Sequence, residues 1–270
     1  MIFFNAIVLA IVEGLTEFLP ISSTGHLILV ERFFPLDAAE GSKFGKAFEV
    51  LIQLPAIVAV VVYFWSRLWP FGRGEEHRAK TVALWSRVAV AFAPAALLGF
   101  LFHDAIESRL MYSVPVAVAL VAGGVVLIAL EYRGHVATFE SVHDVSFRTA
   151  FGIGMLQCLA LFPGTSRSAA TIIGAMLLGA GRAAAAEFSF FLAVPTMIGA
   201  STLTLVKHGV GFTGQQWALL ALGSAVSFAT AYAAIAFLMR YIQRHSFTGF
   251  GVYRIVLGGI VLLAYFVYGW

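Results

Sequence analysis

Glu13 and Glu17 stand four residues apart, so on a helix they share one face. Two carboxylates in a low-dielectric setting repel each other unless a cation lies between them or one keeps its proton. Hard divalent cations such as Mg2+ or Ca2+ take oxygen ligands of this kind together with phosphate oxygens. The pair therefore reads as a cation site, with solvated interfacial acids as the plainer alternative. Pro20 ends the arm that carries them, because proline has no N–H to give a helix. Ser22, Ser23, Thr24, Gly25 and His26 follow. One of the three hydroxyls suits the N-cap of the next helix, whose first N–H groups form an anion site. Ser23 and His26 are three apart, and hydroxyl plus imidazole is the smallest nucleophile–base pair. Ser22, Ser23, Thr24, His26 or water activated by His26 can each attack phosphorus. Ser23 is preferred, because it opens the returning half-helix three residues before His26.

A second cluster repeats the plan and adds a guanidinium. Pro163 and Gly164 precede Thr165, Ser166, Arg167 and Ser168, with Thr171 just beyond. Arginine is always charged and forks onto phosphate oxygens. Inside an apolar segment it marks a functional site by default, and an ion pair with Glu13, Glu17, Glu49 or Glu187 is the structural alternative. Ser166, Ser168 and Thr171, like Ser22 and Thr24, offer hydroxyls to a bound substrate. Glu49 with Gln53, and Glu187, suit helix–helix hydrogen bonds as well as substrate contact. Ser23, His26, Glu17 and Arg167 together supply what phosphoryl transfer needs: a nucleophile, a proton carrier and charge stabilisation.

These clusters sit in a chain of 270 residues that is 60% hydrophobic and 11% charged. Soluble domains run near a quarter charged, so this composition points to an all-α integral membrane protein. Its lone cysteine, Cys158, allows no intrachain disulfide. A net charge of +3 without a basic run gives no sign of nucleic acid. The N-terminus lacks the basic region of a signal peptide and is expected to be retained. Six segments are long and apolar enough to span: 44–68, 82–103, 113–132, 183–206, 216–239 and 250–268. Regions 2–34 and 147–178 are interrupted at residues 13–26 and 161–171, and each reads as a re-entrant helical hairpin.

Pro20, Ser22 and Ser23 match Pro163, Thr165 and Ser166 at one offset, and Phe48 and Pro55 match Phe188 and Pro195 at nearly the same one. The single membrane domain thus divides into repeats of about 1–132 and 147–270. Each holds a hairpin and three spans, and three is odd, so the second repeat is inverted and the hairpins meet near the midplane. Arg67, Arg73, Arg78, Lys80, Arg87, Arg133, Arg148, Arg182, Arg240, Arg244 and Arg254 fall on one side of this layout. Arg32, Lys43, Lys46, Arg109 and Lys207 fall on the other. The first side is cytoplasmic by the positive-inside rule, which puts both termini outside.

The segment EGLTEFLPISSTGH, residues 13–26, resembles the first motif of the undecaprenyl-diphosphate phosphatases, the bacitracin-resistance family. PGTSRSAAT, residues 163–171, is similar to the second motif, with Ala169 where many members have glycine. FEVLIQL and AAEFSFFLAVP, residues 48–54 and 185–195, also look like family segments. The resemblance implies removal of one phosphate from undecaprenyl diphosphate, recycling the lipid carrier for cell-wall synthesis. It also implies a bacterial inner membrane, dependence on a divalent cation, a site opening outward, and a homodimer. Glu13, Glu17, Ser23, His26, Ser166, Arg167 and Thr171 are the family positions that carry over. A secondary transporter or lipid flippase built on inverted repeats is the rival reading. The metal-independent lipid phosphatases need a histidine nucleophile six residues after the motif arginine, where this chain has Ile173.

Overall fold

The computed structural model describes residues 1–36, 41–72, 74–110, 112–134, 136–208 and 211–269. Among the described residues twelve α-helices follow in order: α1 (Ile2–Glu17), α2 (Ser23–Val30), α3 (Ser42–Leu51), α4 (Gln53–Tyr63), α5 (Trp65–Leu68), α6 (Glu75–Leu110), α7 (Ser113–Tyr132), α8 (Phe147–Gln157), α9 (Arg167–Leu177), α10 (Arg182–His208), α11 (Gly214–Tyr241) and α12 (Thr248–Tyr268). Among the described residues no strand forms.

Among the described residues six helical stretches are long and apolar enough to cross a membrane: Phe44–Tyr63, Glu75–Phe102, Ser113–Tyr132, Arg182–Val206, Gly214–Tyr241 and Thr248–Tyr268. Large apolar side chains such as Phe100, Leu263 and Phe266 stay exposed on them, as expected where the surroundings are lipid. The first span is shorter than the sequence suggests. It kinks at Ile52 and ends at Tyr63, before the short α5. The second begins earlier, at Glu75, where two acidic residues in the first turn favour the positive helix end.

The two remaining apolar regions are broken helices. The 16 residues of α1 reach about 24 Å, less than the ~30 Å hydrocarbon core. Pro20 stops α1 and Ser22 caps α2. The second pair, α8 and α9, is parted by a 3-10 turn at Cys158–Leu161 and by Pro163.

Each broken pair packs on the opposite half of the chain, α1 on α11 and α8 on α6. Glycine permits both approaches. A Cβ on Gly14 would lie 2.6 Å from the Ser227 carbonyl oxygen, and one on Gly154 2.2 Å from that of Ala91. The third spans, α7 and α12, pack against each other.

Arg254 corrects one sequence expectation. It is no loop charge but is fully buried within α12. Arg73 and the side chains of Lys43, Arg109 and Lys207 lie outside the described residues.

Candidate active site

The two broken pairs share one backbone device. Ser22 and Ser166 are the non-glycine residues with positive φ among those described, at 71° and 70°. Each is an N-cap, and its hydroxyl accepts an N–H three residues on: Gly25 at 3.3 Å and Ala169 at 3.2 Å. A non-glycine residue in this conformation costs about 1–3 kcal/mol and persists where its surroundings over-determine it. The caps set the register. Ser22 corresponds to Ser166, not to Thr165, because the second turn carries one more residue after its proline. The first helical residues are therefore Ser23 and Arg167.

Those two residues meet on Glu17, the last residue of α1. Ser23 Oγ donates to Glu17 Oε2 at 2.9 Å, and Arg167 Nη2 donates to Oε1 at 3.1 Å. Of the four carboxylates weighed for Arg167, Glu17 is its partner, and both side chains are about one-tenth exposed. Arg167 Nη1 donates to the Ser189 carbonyl at 3.1 Å, and the guanidinium lies 5.7 Å from the Phe18 ring centroid. Its Nε has no acceptor among the described residues.

Arg254 ties the two turns together. Its guanidinium donates to the carbonyls of Pro20 at 3.3 Å, Gly164 at 3.2 Å and Thr165 at 3.0 Å, and to Ala119 and Leu120 of α7. Carbonyls freed by each break are thereby satisfied by one cation.

Beside this junction lies a cavity of about 690 Å³. Glu17, Ser22, Ser23, Thr24, Ser166 and Arg167 line its polar part with Gln53 and Gln157. Phe92, Phe100, Phe162 and Leu203 are among its apolar walls. The remaining expected site residues lie behind this surface. Ser168 is fully buried and donates to the Leu19 carbonyl at 2.9 Å, joining the second turn to the first. Thr171, also buried, bonds the Ser189 hydroxyl at 2.6 Å and the Arg167 carbonyl at 2.9 Å. Thr171 therefore supports Arg167 from behind and Ser168 holds the two turns together, and neither lines the cavity.

Glu13 is wholly buried, with Oε1 accepting from Gln53 Nε2 at 2.9 Å and Oε2 without a hydrogen-bond partner among the described residues. Among the described residues no group of three or more His, Cys, Asp or Glu converges on a common point. Two carboxylates with one orphaned oxygen, beside an amide, still fit Mg2+ or Ca2+, which take one or two carboxylates and complete their shell with phosphate and water.

The expected Ser23–His26 pair is not built. His26 Nδ1 lies 2.7 Å from the Ser22 carbonyl and Nε2 lies 2.7 Å from the Tyr253 hydroxyl. The His26 and Tyr253 rings stack with centroids 5.5 Å apart. The Ser22 carbonyl can only accept, so Nδ1 carries the proton and Nε2 takes that of Tyr253. Both nitrogens are engaged, and Ser23 turns to Glu17, whose charge makes the stronger acceptor.

Residues 6–260 match the family described as Bacitracin resistance protein BacA. The chain belongs to this family. It is 49% identical over 265 residues to undecaprenyl-diphosphatase 1 of Clostridioides difficile (strain 630), covering 97% of this chain and 96% of the relative. It is 50% identical to undecaprenyl-diphosphatase of Enterococcus faecalis, covering 96% and 95%. With undecaprenyl-diphosphatase of Fusobacterium nucleatum it shares 47% identity over 95% and 98%.

This BacA-family chain uses residues that motif reading overlooks. Arg254 lies near the start of a span, where a cation reads as a topology signal. The available sign was the pair Gly123 and Gly124 on α7, since a Cβ at Gly123 would sit 2.4 Å from Arg254 Nη2. Ser189 and Tyr253 carry no spacing signal, because their partners are about 20 and 230 positions away. Glu187 pairs with Arg67, away from the Glu17 junction.

Proposed function

We infer that this chain removes the terminal phosphate from undecaprenyl diphosphate, giving undecaprenyl phosphate and inorganic phosphate. The observation that carries this reading is the junction of Ser23, Glu17 and Arg167 in a cavity with apolar walls, within a multi-pass membrane protein. The diphosphate takes the polar part, and the first isoprene units lie along Phe92, Phe100 and Phe162. The Arg167 guanidinium, whose Nε lacks a protein acceptor, takes phosphate oxygens together with the first N–H groups of α2 and α9. The incoming anion competes with Glu17 for that guanidinium. Glu17 then accepts the Ser23 proton while Ser23 Oγ bonds the terminal phosphorus. The bond from that phosphorus to the bridging oxygen breaks, and undecaprenyl phosphate leaves with the electron pair. Water then splits the phosphoserine, both its protons stay on inorganic phosphate, and Glu17 returns the proton it took to Ser23. Glu13, Glu17 and the Gln53 amide oxygen are the groups that would hold a divalent cation, which would offset substrate charge when bound.

The same reading makes each broken pair a re-entrant hairpin in an inverted repeat, in the inner membrane of a bacterium, with the site opening outward. The mirrored packing of α1 on α11 and α8 on α6, and the matched caps at Ser22 and Ser166, support it. Ten of the eleven cations assigned inside still fit the loop-charge bias once Arg254 is removed. A homodimer belongs to this reading too, and its mass in detergent tests it.

The reaction is tested by phosphate release from C55 and C15 isoprenyl diphosphates by purified protein in detergent, with and without chelator. Release that a chelator abolishes and Mg2+ or Ca2+ restores is expected. No release from either lipid would sink the reaction and leave the transporter reading. Release indifferent to chelator would remove the cation alone.

A further inference from the structure

We propose that Gln157 is a further substrate-binding residue of this site, donating its side-chain N–H to a diphosphate oxygen. The proposal rests on the reading of the site as a diphosphate hydrolase. Gln157 is the last residue of α8 and is 1% exposed. Its Oε1 accepts from the Thr196 hydroxyl at 3.3 Å. Its Nε2 has no acceptor among the described residues. Both Gln157 and Thr196 line the cavity that Ser23 and Arg167 line.

A buried amide donor without an acceptor destabilises a fold, and an apolar side chain of similar size would suit the site better. Glutamine is retained here at the edge of a cavity, where an incoming group can supply the acceptor. The atom left over is a donor, so the ligand must bring an oxygen lone pair. Arg167, which lines the same cavity, carries a second buried donor without an acceptor among the described residues, its Nε. Gln157 closes α8 and Arg167 opens α9, so the two donors flank the turn of Pro163 and Ser166 from either side. Two donors around one turn suit an anion with several oxygens, which a diphosphate is. The neutral amide adds direction without a second fixed charge, and the Thr196 hydroxyl beside its Oε1 also donates to the Leu192 carbonyl at 2.8 Å.

Gln157→Leu keeps the volume and removes the donor. Gln157→Glu keeps the shape and the Thr196 bond, but replaces the donor by an acceptor with negative charge. Phosphate release from farnesyl diphosphate and thermal midpoints in detergent are measured for both and for the wild type. The Leu variant is expected to lose about ten- to a hundred-fold in kcat/KM, mainly through KM, with an unchanged or higher midpoint without substrate. The Glu variant is expected to lose more than the Leu variant. Protection of the wild type by inorganic pyrophosphate against thermal unfolding should be weakened in both. A structural Gln157 would give the reverse, a lower midpoint for Leu and a tolerated Glu. Wild-type kcat/KM in Gln157→Leu, or Glu performing as well as wild type, overturns the proposal while the reaction stands. If Leu fails to fold, the Glu variant decides alone. A wild type that releases no phosphate overturns the reaction and this proposal with it.

Discussion

The turns at Pro20 and Pro163 use the same backbone to present different chemistry. Each ends in a serine N-cap at positive φ, and each delivers the first residue of a short helix to Glu17. In the first turn that residue is a neutral hydroxyl on a short side chain. In the second it is a charged fork that needs support from behind, and Ser189, Thr171 and Phe18 provide it. Among the described residues Ser23 has no comparable scaffold beyond Glu17, as suits the proposed attack on phosphorus. The second turn also has one extra residue. Gly164 passes so close to α7 that a Cβ there would lie 2.4 Å from the Val116 carbonyl oxygen, at a φ of 89°. In the proposed reaction one turn supplies the attacking arm and the other the holding arm, joined at a single carboxylate.

The largest expected effect comes from cutting the joint. Glu17→Gln keeps the shape but removes the charge that serves both arms. A loss of about 10³-fold or more in kcat is expected, from the general-base contribution and the weakened hold on Arg167. Removing the partner of a buried charge also costs about 3–5 kcal/mol, so the thermal midpoint should fall. Ser23→Ala cuts only the attacking arm. It should abolish turnover at unchanged substrate affinity, whereas Ser22→Ala should cost only its cap, about 1 kcal/mol. Single-turnover kinetics and diphosphate affinity for the three variants check this. More than about a tenth of wild-type rate in Ser23→Ala, a loss under about 1.4 kcal/mol, would return the attack to water or His26.

The holding arm is next. Arg167→Lys keeps the charge and loses the fork, and lysine cannot reach Glu17, Ser189 and phosphate together. The expected outcome is a loss of about a hundred-fold in kcat/KM with normal folding, read by the same phosphate assay and by thermal melting. Near-normal turnover would mean that charge alone suffices and that the two arms are less specialised than the geometry states.

Arg254 tests whether the arms depend on each other. Arg254→Lys supplies three donors for five carbonyls of the two turns and α7. Leaving buried carbonyls unpaired costs about 1–3 kcal/mol each. A midpoint lowered by several degrees is expected, with kcat reduced less than in Arg167→Lys. Equal loss of kcat without loss of stability would give Arg254 a direct part in the chemistry.

Hydropathy made the spans legible because lipid leaves the outer helix faces with one requirement, and Ser113–Tyr132 is placed to the residue. The proline breaks were equally plain, since a missing N–H acts locally. Glu17, Ser23 and Arg167 could be named as site residues, but not joined, because their separations of 6 and 150 positions close only in the fold. The register was misjudged by one residue because prolines were aligned, while the structure aligns caps. Arg254 and Gln157 were hidden for a shared reason: one sits within α12 and the other ends α8, both among apolar neighbours in the chain, where only the groups around each in the fold point to a role.

His26 separates the sequence-based pairing from the observed one, and it carries the smallest expected effects. Three residues after Ser23 it reads as the base, yet its nitrogens are held by Ser22 and Tyr253 while Ser23 rests on Glu17. In this arrangement His26 fixes the first turn from behind and Tyr253 fixes His26. Tyr253→Phe keeps the stacked ring and removes one hydrogen bond, which is worth about 0.5–1.5 kcal/mol. A two- to tenfold loss of kcat/KM is therefore the expected range. His26→Gln keeps a polar side chain at the turn and should cost more than Tyr253→Phe, yet at least tenfold less than Glu17→Gln. His26 acting as the base on Ser23 predicts a different order. Then His26→Gln would match Glu17→Gln, and Tyr253→Phe, by freeing Nε2, would hold or raise the rate. The two orders do not overlap, so kcat/KM for these three variants in one phosphate-release assay decides which carboxylate or imidazole the attacking arm uses.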